Sequence, residues 1–399
     1  MFNLKNTFKS LAHRNFRLFF FAQMVSLIGT WVQGVAQSWL LWRLTNSQGL
    51  LGLLGFCQMS PVLFFGLLGG IFADRFERKK LLLFTQSLAL FQSVVFAILV
   101  ISGIITPLYI FILALFLGTV NAFDMTGRQT FLADLVSYKD VGNAIALNSL
   151  LFNIARVIGP PIGGFIISVY GESLCFVLNA VSFLFVLFAL LLIKVEQLQD
   201  TKDESASVSF KETLEYFKTN RTQLKVLILM SAVSFLMLPY GYFLPYFADA
   251  ILKGKADTLG FLLSSAGFGA MIGAVVMANH PKIEKLPGLL GIFSFILAVS
   301  LSLFSFSNVF YFSVFLLTIA GFSTMIAASS TNIFLQTTAP LHLRGRVISF
   351  YVTSFIGFPP IGGVLVGALA EHFNAPSVLL VFSILTAILS FTYLTVFRK

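Results

Sequence analysis

Apolar runs of roughly 20 residues, the length that crosses about 30 Å of hydrocarbon, recur twelve times. They lie near 18–41, 50–72, 81–102, 108–128, 142–167, 174–193, 224–247, 258–279, 288–306, 310–333, 347–369 and 376–397. Charges are costly in hydrocarbon, so the runs read as transmembrane helices and the polar segments between them as loops. Basic residues divide unevenly between the two sets of alternate loops. One set and the two chain ends hold Lys5, Lys9, Arg14, Arg17, the cluster Arg75, Arg78, Lys79 and Lys80, then Lys139, a group from Lys194 to Lys225, Lys282, Lys285, Arg344, Arg346, Arg398 and Lys399. The other set holds Arg43, Lys253 and Lys255. Lys and Arg excess marks the cytoplasmic face, and an even number of spans puts both termini there. The pattern predicts an all-α polytopic membrane protein.

The longest polar stretch, 194–222, separates six helices from six. Its middle is acidic and Ser-rich, as in a linker, while Phe210, Leu214 and Phe217 recur at helical spacing and predict an amphipathic helix lying along the membrane surface. The expected organisation is an N-terminal bundle over 1–193, a cytoplasmic linker over 194–222 and a C-terminal bundle over 223–399. The halves repeat: Pro-Pro-Ile-Gly-Gly stands at 160–164 in the fifth helix and again at 359–363 in the eleventh. Corresponding motifs in two six-helix halves are expected of a duplicated transporter. A weaker echo sets Ala278-Asn279-His280 against Ala73-Asp74-Arg75, with an amide in place of the acid.

Composition agrees with a membrane protein: 57% of residues are apolar and 11% charged, against about 25% charged in soluble domains. The net charge of +10 is scattered over short loops, which makes it a determinant of topology and argues against a nucleic-acid surface. Cys57 and Cys175 sit within apolar runs, so neither a disulfide framework nor a metal site is suggested. No nucleophile–base pair, metal cluster or phosphate loop points to an enzyme. The basic N-terminal segment precedes an apolar run too long for a signal peptide, and reads as a retained first helix.

Candidate functional residues are the polar ones inside apolar helices. Gln23, Ser26, Thr30, Gln33 and Gln37 are spaced 3, 4, 3 and 4 and form a stripe on the first helix. A lipid-facing amide is costly, so the stripe faces either neighbouring helices or a substrate cavity. Tyr242 and Tyr246 in the seventh helix and Asn332 in the tenth are further cavity candidates. Arg156 lies about midway along the fifth helix and needs a partner, water or an anionic ligand; a guanidinium matches a carboxylate as a bidentate fork. Asp124 and Arg128 share a face of the fourth helix, where Asp124 reads either as a proton-coupling acid or as one half of a fixed ion pair. Gly159, Gly163 and Gly164 give a small-residue packing face, and Pro160 and Pro161 remove backbone donors.

The run Gly70-Ile-Phe-Ala-Asp-Arg-Phe-Glu-Arg-Lys-Lys80 resembles the loop signature of the major facilitator superfamily, with Glu77 where that family usually places Gly. The Gly159-Pro160-Pro161 run resembles its fifth-helix antiporter signature. The opening His13-Arg-Asn-Phe-Arg, the Gly29–Trp39 helix, the Leu44-Thr-Asn-Ser47 turn and the Arg128–Leu135 segment resemble the drug:proton antiporter branch that contains enterobactin exporters and macrolide efflux proteins. The resemblance implies two pseudo-symmetric six-helix bundles, with the first, fourth, seventh and tenth helices lining the cavity. That favours cavity lining for the first-helix stripe. Asp74, Arg75 and Arg78 read either as orientation plus a solvated turn or, as the resemblance implies, as a cytoplasmic latch; in the latch Asp74 would sit at the N-terminus of the eleventh helix, where helix-end amides favour an anion, and Arg78 would reach Asp124.

The expected function is secondary active export by alternating access in a bacterial inner membrane. Inward proton flow would drive it, without a cofactor. Arg156 and the enterobactin-exporter resemblance favour a siderophore or similar anionic metabolite as the small-molecule substrate; macrolide or multidrug efflux and a lipid flippase are the alternatives. Membrane lipid is the expected surrounding partner, and the chain is expected to act as a monomer.

Overall fold

The computed structural model describes residues 8–194, 210–278 and 282–397, apart from the side chains of 67–75, 210, 211 and 397. Among these residues, twelve helices are long and apolar enough to span a membrane, in the places where the apolar runs predict them. They are α1 (Arg14–Thr45), α2 (Gln48–Arg75), α3 (Arg78–Ile101), α4 (Pro107–Asp134), α5 (Val141–Tyr170), α6 (Glu172–Leu192), α7 (Arg221–Ile251), α8 (Ala256–Ala278), α9 (Leu286–Phe306), α10 (Phe310–Thr338), α11 (Arg344–Phe373) and α12 (Ala375–Phe397). Two turns rely on asparagine in the left-handed region, Asn46 between α1 and α2 and Asn374 between α11 and α12. Asparagine tolerates that conformation because its short polar side chain can bond locally. Asn374 does so, its Oδ1 accepting the Ser377 N–H at 3.0 Å.

The chain forms two compact units. The first comprises residues up to Thr45, Cys57–Thr201 and the short piece Lys255–Gly260; the second takes Asn46–Phe56, Lys202–Gly254 and Phe261–Lys399. Each unit therefore takes in the start of a helix whose remainder belongs to the other. Within the first unit α1 packs on α5 and α6, and α3 packs on α4 and α6. Within the second, α7 packs on α11 and α12, and α9 packs on α10 and α12. The pairing repeats with a six-helix offset, as the repeated Pro-Pro-Ile-Gly-Gly segment leads one to expect.

That repeated segment takes two local forms. Pro160 and Pro161 lie within an uninterrupted α5. In α11 the residues before Pro359 and Pro360 form a π-helical turn, Thr353–Gly357. A proline in a helix leaves the carbonyl four residues earlier without its N–H partner, and a wider turn is one way to absorb the mismatch. The far part of α7 is also irregular, passing through a 3-10 turn at Leu238–Phe243 and a π turn at Phe247–Ile251. Pro239 and Pro245 interrupt the backbone bonding there.

The basic segment before α1 is tied down by partners that the charge count does not reveal. Ser10 donates its N–H to Asn143 Oδ1 at 2.9 Å, and Asp140 receives Lys9 Nζ at 2.9 Å and His13 Nε2 at 2.8 Å. The segment before α1 is thereby clasped to the start of α5. The connecting helix Phe210–Thr219 is helical, as its spacing predicts. Phe217 is buried, with its ring edge-on to Phe350 of α11 at 5.5 Å between centroids.

Candidate functional site

The polar stripe on α1 turns inward to its own unit. Gln33 donates to Gln92 Oε1 at 3.0 Å and accepts from Ser93 Oγ at 2.7 Å and Asn179 Nδ2 at 2.9 Å. Gln92 in turn donates to the Leu113 carbonyl at 3.3 Å, so the network joins α1, α3, α4 and α6. Gln37 accepts from Gln58 at 3.1 Å, Thr30 bonds back to the Ser26 carbonyl at 2.9 Å, and Ser26 is buried. Gln23 is buried too, and its Oε1 has no hydrogen-bond partner. For Gln33 and Gln37 the structure gives the helix-joining arrangement in place of the expected cavity lining. The reason is register, since α1 is flanked by α5 and α6 and its polar face meets the one amide of α6, Asn179. Sequence reading missed Gln58, Gln92, Ser93 and Asn179, although amides within apolar runs were the available signal.

Such a network gains little when formed and costs much when half broken. Interhelical hydrogen bonds in membranes average about 0.6 kcal/mol, whereas a buried group left unsatisfied costs about 1–3 kcal/mol. Asn179→Leu removes the amide that donates to Gln33 Oε1 at 2.9 Å and to Ser93 Oγ at 3.3 Å, while Ser182 Oγ keeps its bond to the residue-179 carbonyl at 2.7 Å. It is expected to lower stability by about 1–3 kcal/mol, read as an earlier thermal transition of the purified protein in detergent. Unchanged melting would mean that the amides are not coupled.

Asp124 is the charged centre of the first unit. It is 2% exposed, forms an ion pair with Arg128 one turn later on α4, and accepts from Thr85 Oγ1 at 2.9 Å and Gln86 Nε2 at 2.7 Å. An acid preceding a base by four residues is the favourable order on a helix. Arg78 does not bond to Asp124 as expected; its partner is Asp134 at 2.7 Å. Antiparallel packing sets the start of α3 beside the end of α4, which places Asp124 further in, at the level of Thr85 and Gln86. Lys79 Nζ donates to the Ile193 carbonyl just beyond α6 at 2.7 Å, and Lys80 pairs with Glu77 at 2.7 Å. The side chains of Asp74 and Arg75 and the segment Asn279–Pro281 lie outside the described residues, and with them the Asp74 part of the expected latch.

Arg156 is half-buried on α5. Ser149 and Asn153, seven and three residues earlier, share its helical face, and Ser149 is exposed. Phe152 on the adjoining face meets Trp31 of α1 edge-on at 6.2 Å. Beyond Arg156 the packing closes. A Cβ on Gly159 would lie 2.5 Å from the Trp31 Cβ, one on Gly163 would lie 3.0 Å from the Val32 Cα, and one on Gly164 would overlap the Ala256 carbonyl. Pro160 lies in the same contact, its carbonyl against Gly260.

In the second unit Tyr242 is wedged between glycines: Cβ atoms on Gly55 and Gly363 would lie 2.7 and 2.8 Å from its ring. It packs between α2 and α11. Tyr246 is partly buried beside Phe247, and Asn332 accepts from the exposed Gln336 at 2.8 Å. A cleft of about 540 Å³ also opens on the first unit, lined by Phe84 and Leu88 of α3 and Phe116, Val120 and Phe123 of α4, with Lys80 at its rim.

A family model described as transmembrane secretion effector matches residues 5–398. The staphyloferrin A transporter of Staphylococcus aureus is 23% identical over 96% of both chains. The multidrug efflux pump Tap of Mycolicibacterium fortuitum is 24% identical over 89% of this chain and 88% of its own. The enterobactin exporter EntS of Shigella boydii is 26% identical over 90% and 85% respectively. Among solved structures, a bacterial homologue of the human lysosomal transporter Spinster superposes with a TM-score of 0.74 at 14% identity, over 96% of each chain.

Proposed function

We propose that this chain, which belongs to the transmembrane secretion effector family, exports a small anionic metabolite of the siderophore kind in exchange for inward-moving protons. Relatives of this chain are membrane exporters of the major facilitator type, and it is a membrane transporter, not an enzyme. The reading places it in a bacterial cytoplasmic membrane with both termini inside, working as a monomer without a cofactor.

Arg156 carries the substrate assignment. It stands half-buried on a polar face of α5, midway through a helix of 30 residues. A guanidinium matches a carboxylate, as a bidentate fork, better than any other side chain does. The similarity to siderophore exporters supports the same class. The aromatic cleft on α3 and α4 supports a second reading, efflux of amphiphilic drugs, in line with the similarity to a multidrug pump.

Proton movement would supply the energy. Each charge moving inward gains about 2.3 kcal/mol per 100 mV. Asp124 is the acid placed to take part. As a carboxylate it accepts from Arg128 on α4 and from Thr85 and Gln86 on α3, so a change in its charge would bear on the packing of α3 against α4.

The experiment is uptake into inverted vesicles of an iron-free carboxylate siderophore, a catecholate siderophore and a macrolide. Siderophore uptake is expected to collapse with a protonophore and to fall at least tenfold in Arg156→Ala, with Arg156→Lys in between. Uptake indifferent to the protonophore would end the antiport reading. Equal uptake by Arg156→Ala, at matched folded protein, would end the anion site.

A further inference from the structure

The start of α2 and the turn between α11 and α12 cap each other. The first amides of a helix have no acceptor within it. In α2 the hydroxyl of Ser47 accepts one of them, the Leu50 N–H, at 3.1 Å. A second acceptor arrives from far along the chain: Glu371 Oε1 takes the Gly49 N–H at 2.7 Å and also bonds to the Ser47 hydroxyl. The exchange is mutual, because Gln48 Oε1 accepts the N–H of Ala375, the first residue of α12, at 2.6 Å. All these residues lie in the second unit, although α2 from Cys57 onward belongs to the first.

Three features set this contact apart from ordinary capping. Ser47 already supplies a local cap, so α2 does not need a glutamate from α11 to form. Directly beneath it backbone meets backbone at glycine: a Cβ on Gly52 would overlap the Gly363 carbonyl, and one on Gly367 would lie 3.1 Å from the Gly49 Cα, with the Tyr242 ring entering only at Gly55 and Gly363. At Gly49, Gly52 and Gly367 the backbones can part without moving a side chain through a rotamer change. The carboxylate is also exposed, and exposed caps are weak enough to break, since charge at a helix start is screened by water.

We propose that Glu371 is a positioning residue of the transport cycle: its carboxylate latches the start of α2 in the closed arrangement of this end and lets go when the end opens. Gln48 is the returning half of the latch. The proposal rests on the transport reading, yet its test does not need a substrate.

The test uses the purified full chain with Cys57 and Cys175 replaced by alanine. Leu51, 1% exposed and two residues on from Gly49, is changed to cysteine, and its rate of maleimide alkylation is measured. Glu371→Ala is expected to raise that rate about tenfold. Glu371→Gln should fall between, because an amide still accepts the Gly49 N–H but brings no charge to the helix start. A rate for Glu371→Ala within twofold of the parent overturns the latch.

A second variant covers the case in which the Leu51 change perturbs folding. A Cβ on Gly49 would lie 3.1 Å from the Glu371 Cγ, the place of a cysteine sulfur, and a disulfide puts the far sulfur about 3 Å from Cβ. Gly49→Cys with Glu371→Cys should therefore close under mild oxidant, keeping the two halves joined after cleavage at a protease site inserted within 195–209. Hydrogen exchange of residues 49–56 should be at least tenfold slower in the oxidised form than in the reduced one. Equal exchange means that this end never opens and overturns the proposal. A chain that passes both tests but accumulates no siderophore in vesicles loses the anion-export reading alone; a chain that exports but fails them loses the latch alone.

Discussion

Asp124→Asn is expected to lose most folded protein, and the double change Asp124→Asn with Arg128→Gln to recover it. The carboxylate is buried against Thr85, Gln86 and Arg128. Removing one partner of such a pair leaves the other charge uncompensated, a loss of about 3–5 kcal/mol, whereas replacing both with neutral groups can be nearly neutral. That is a large part of the 5–15 kcal/mol by which a folded protein is stable. The measurement is the yield of monodisperse protein after detergent extraction, followed by thermal unfolding. The double variant then separates the two roles of Asp124. If the pair is only structural, proton-driven uptake returns with folding; if Asp124 carries the coupling proton, folding returns and protonophore-sensitive uptake does not.

The second large effect concerns two glycines in the second unit. A Cβ on Gly269 of α8 would overlap the Thr318 carbonyl of α10, and one on Gly321 of α10 would overlap the Ala266 carbonyl of α8. Each glycine receives the other helix's backbone, the small-residue approach that allows tight association where lipid offers no hydrophobic drive between helices. Gly321→Val and Gly269→Val are expected to abolish folded protein, because a branched side chain would have to displace backbone atoms. Gly34→Ala serves as the control. Nothing lies within 4 Å of a Cβ there, and alanine in place of a helical glycine favours the helix by about 1 kcal/mol. Gly34→Ala should melt at or above the parent temperature, and folded Gly321→Val would show that α8 and α10 can part without loss of the unit.

Sequence and structure divide the candidate residues along a physical line. The spacing of Gln23, Ser26, Thr30, Gln33 and Gln37 placed them on one face of α1, and the cost of amides in lipid said that the face meets protein or water. Which of the two could not be read, because the partners are on α3 and α6, far along the chain. The same holds for Arg78. Its charge was legible and its neighbourhood to α4 was foreseeable, but Asp134 and Asp124 differ by ten residues, about 15 Å along a helix, and only the register of α3 against α4 selects between them. Glu371 gave no signal at all, being one exposed acid at a helix end. Its meaning depends on the arrival of Gly49 and Ser47 from 322 and 324 positions away.

Twelve spanning helices, the six-plus-six repeat and the uneven distribution of basic loops follow from the sequence by itself. Apolar length, motif recurrence and charge are properties of the chain read locally, and hydrocarbon and helix geometry translate them directly into structure. The tertiary structure decided which polar groups meet: the Gln33–Gln92–Asn179 network, the Asp124–Arg128 pair with its two further donors, the Arg78–Asp134 bridge and the Glu371 cap on α2. In a membrane, helix faces toward lipid and toward protein are both apolar, so periodicity does not fix how a helix is rotated. Contact between backbones at glycine, and the antiparallel register that follows, settle that rotation and with it which of these buried polar side chains meet.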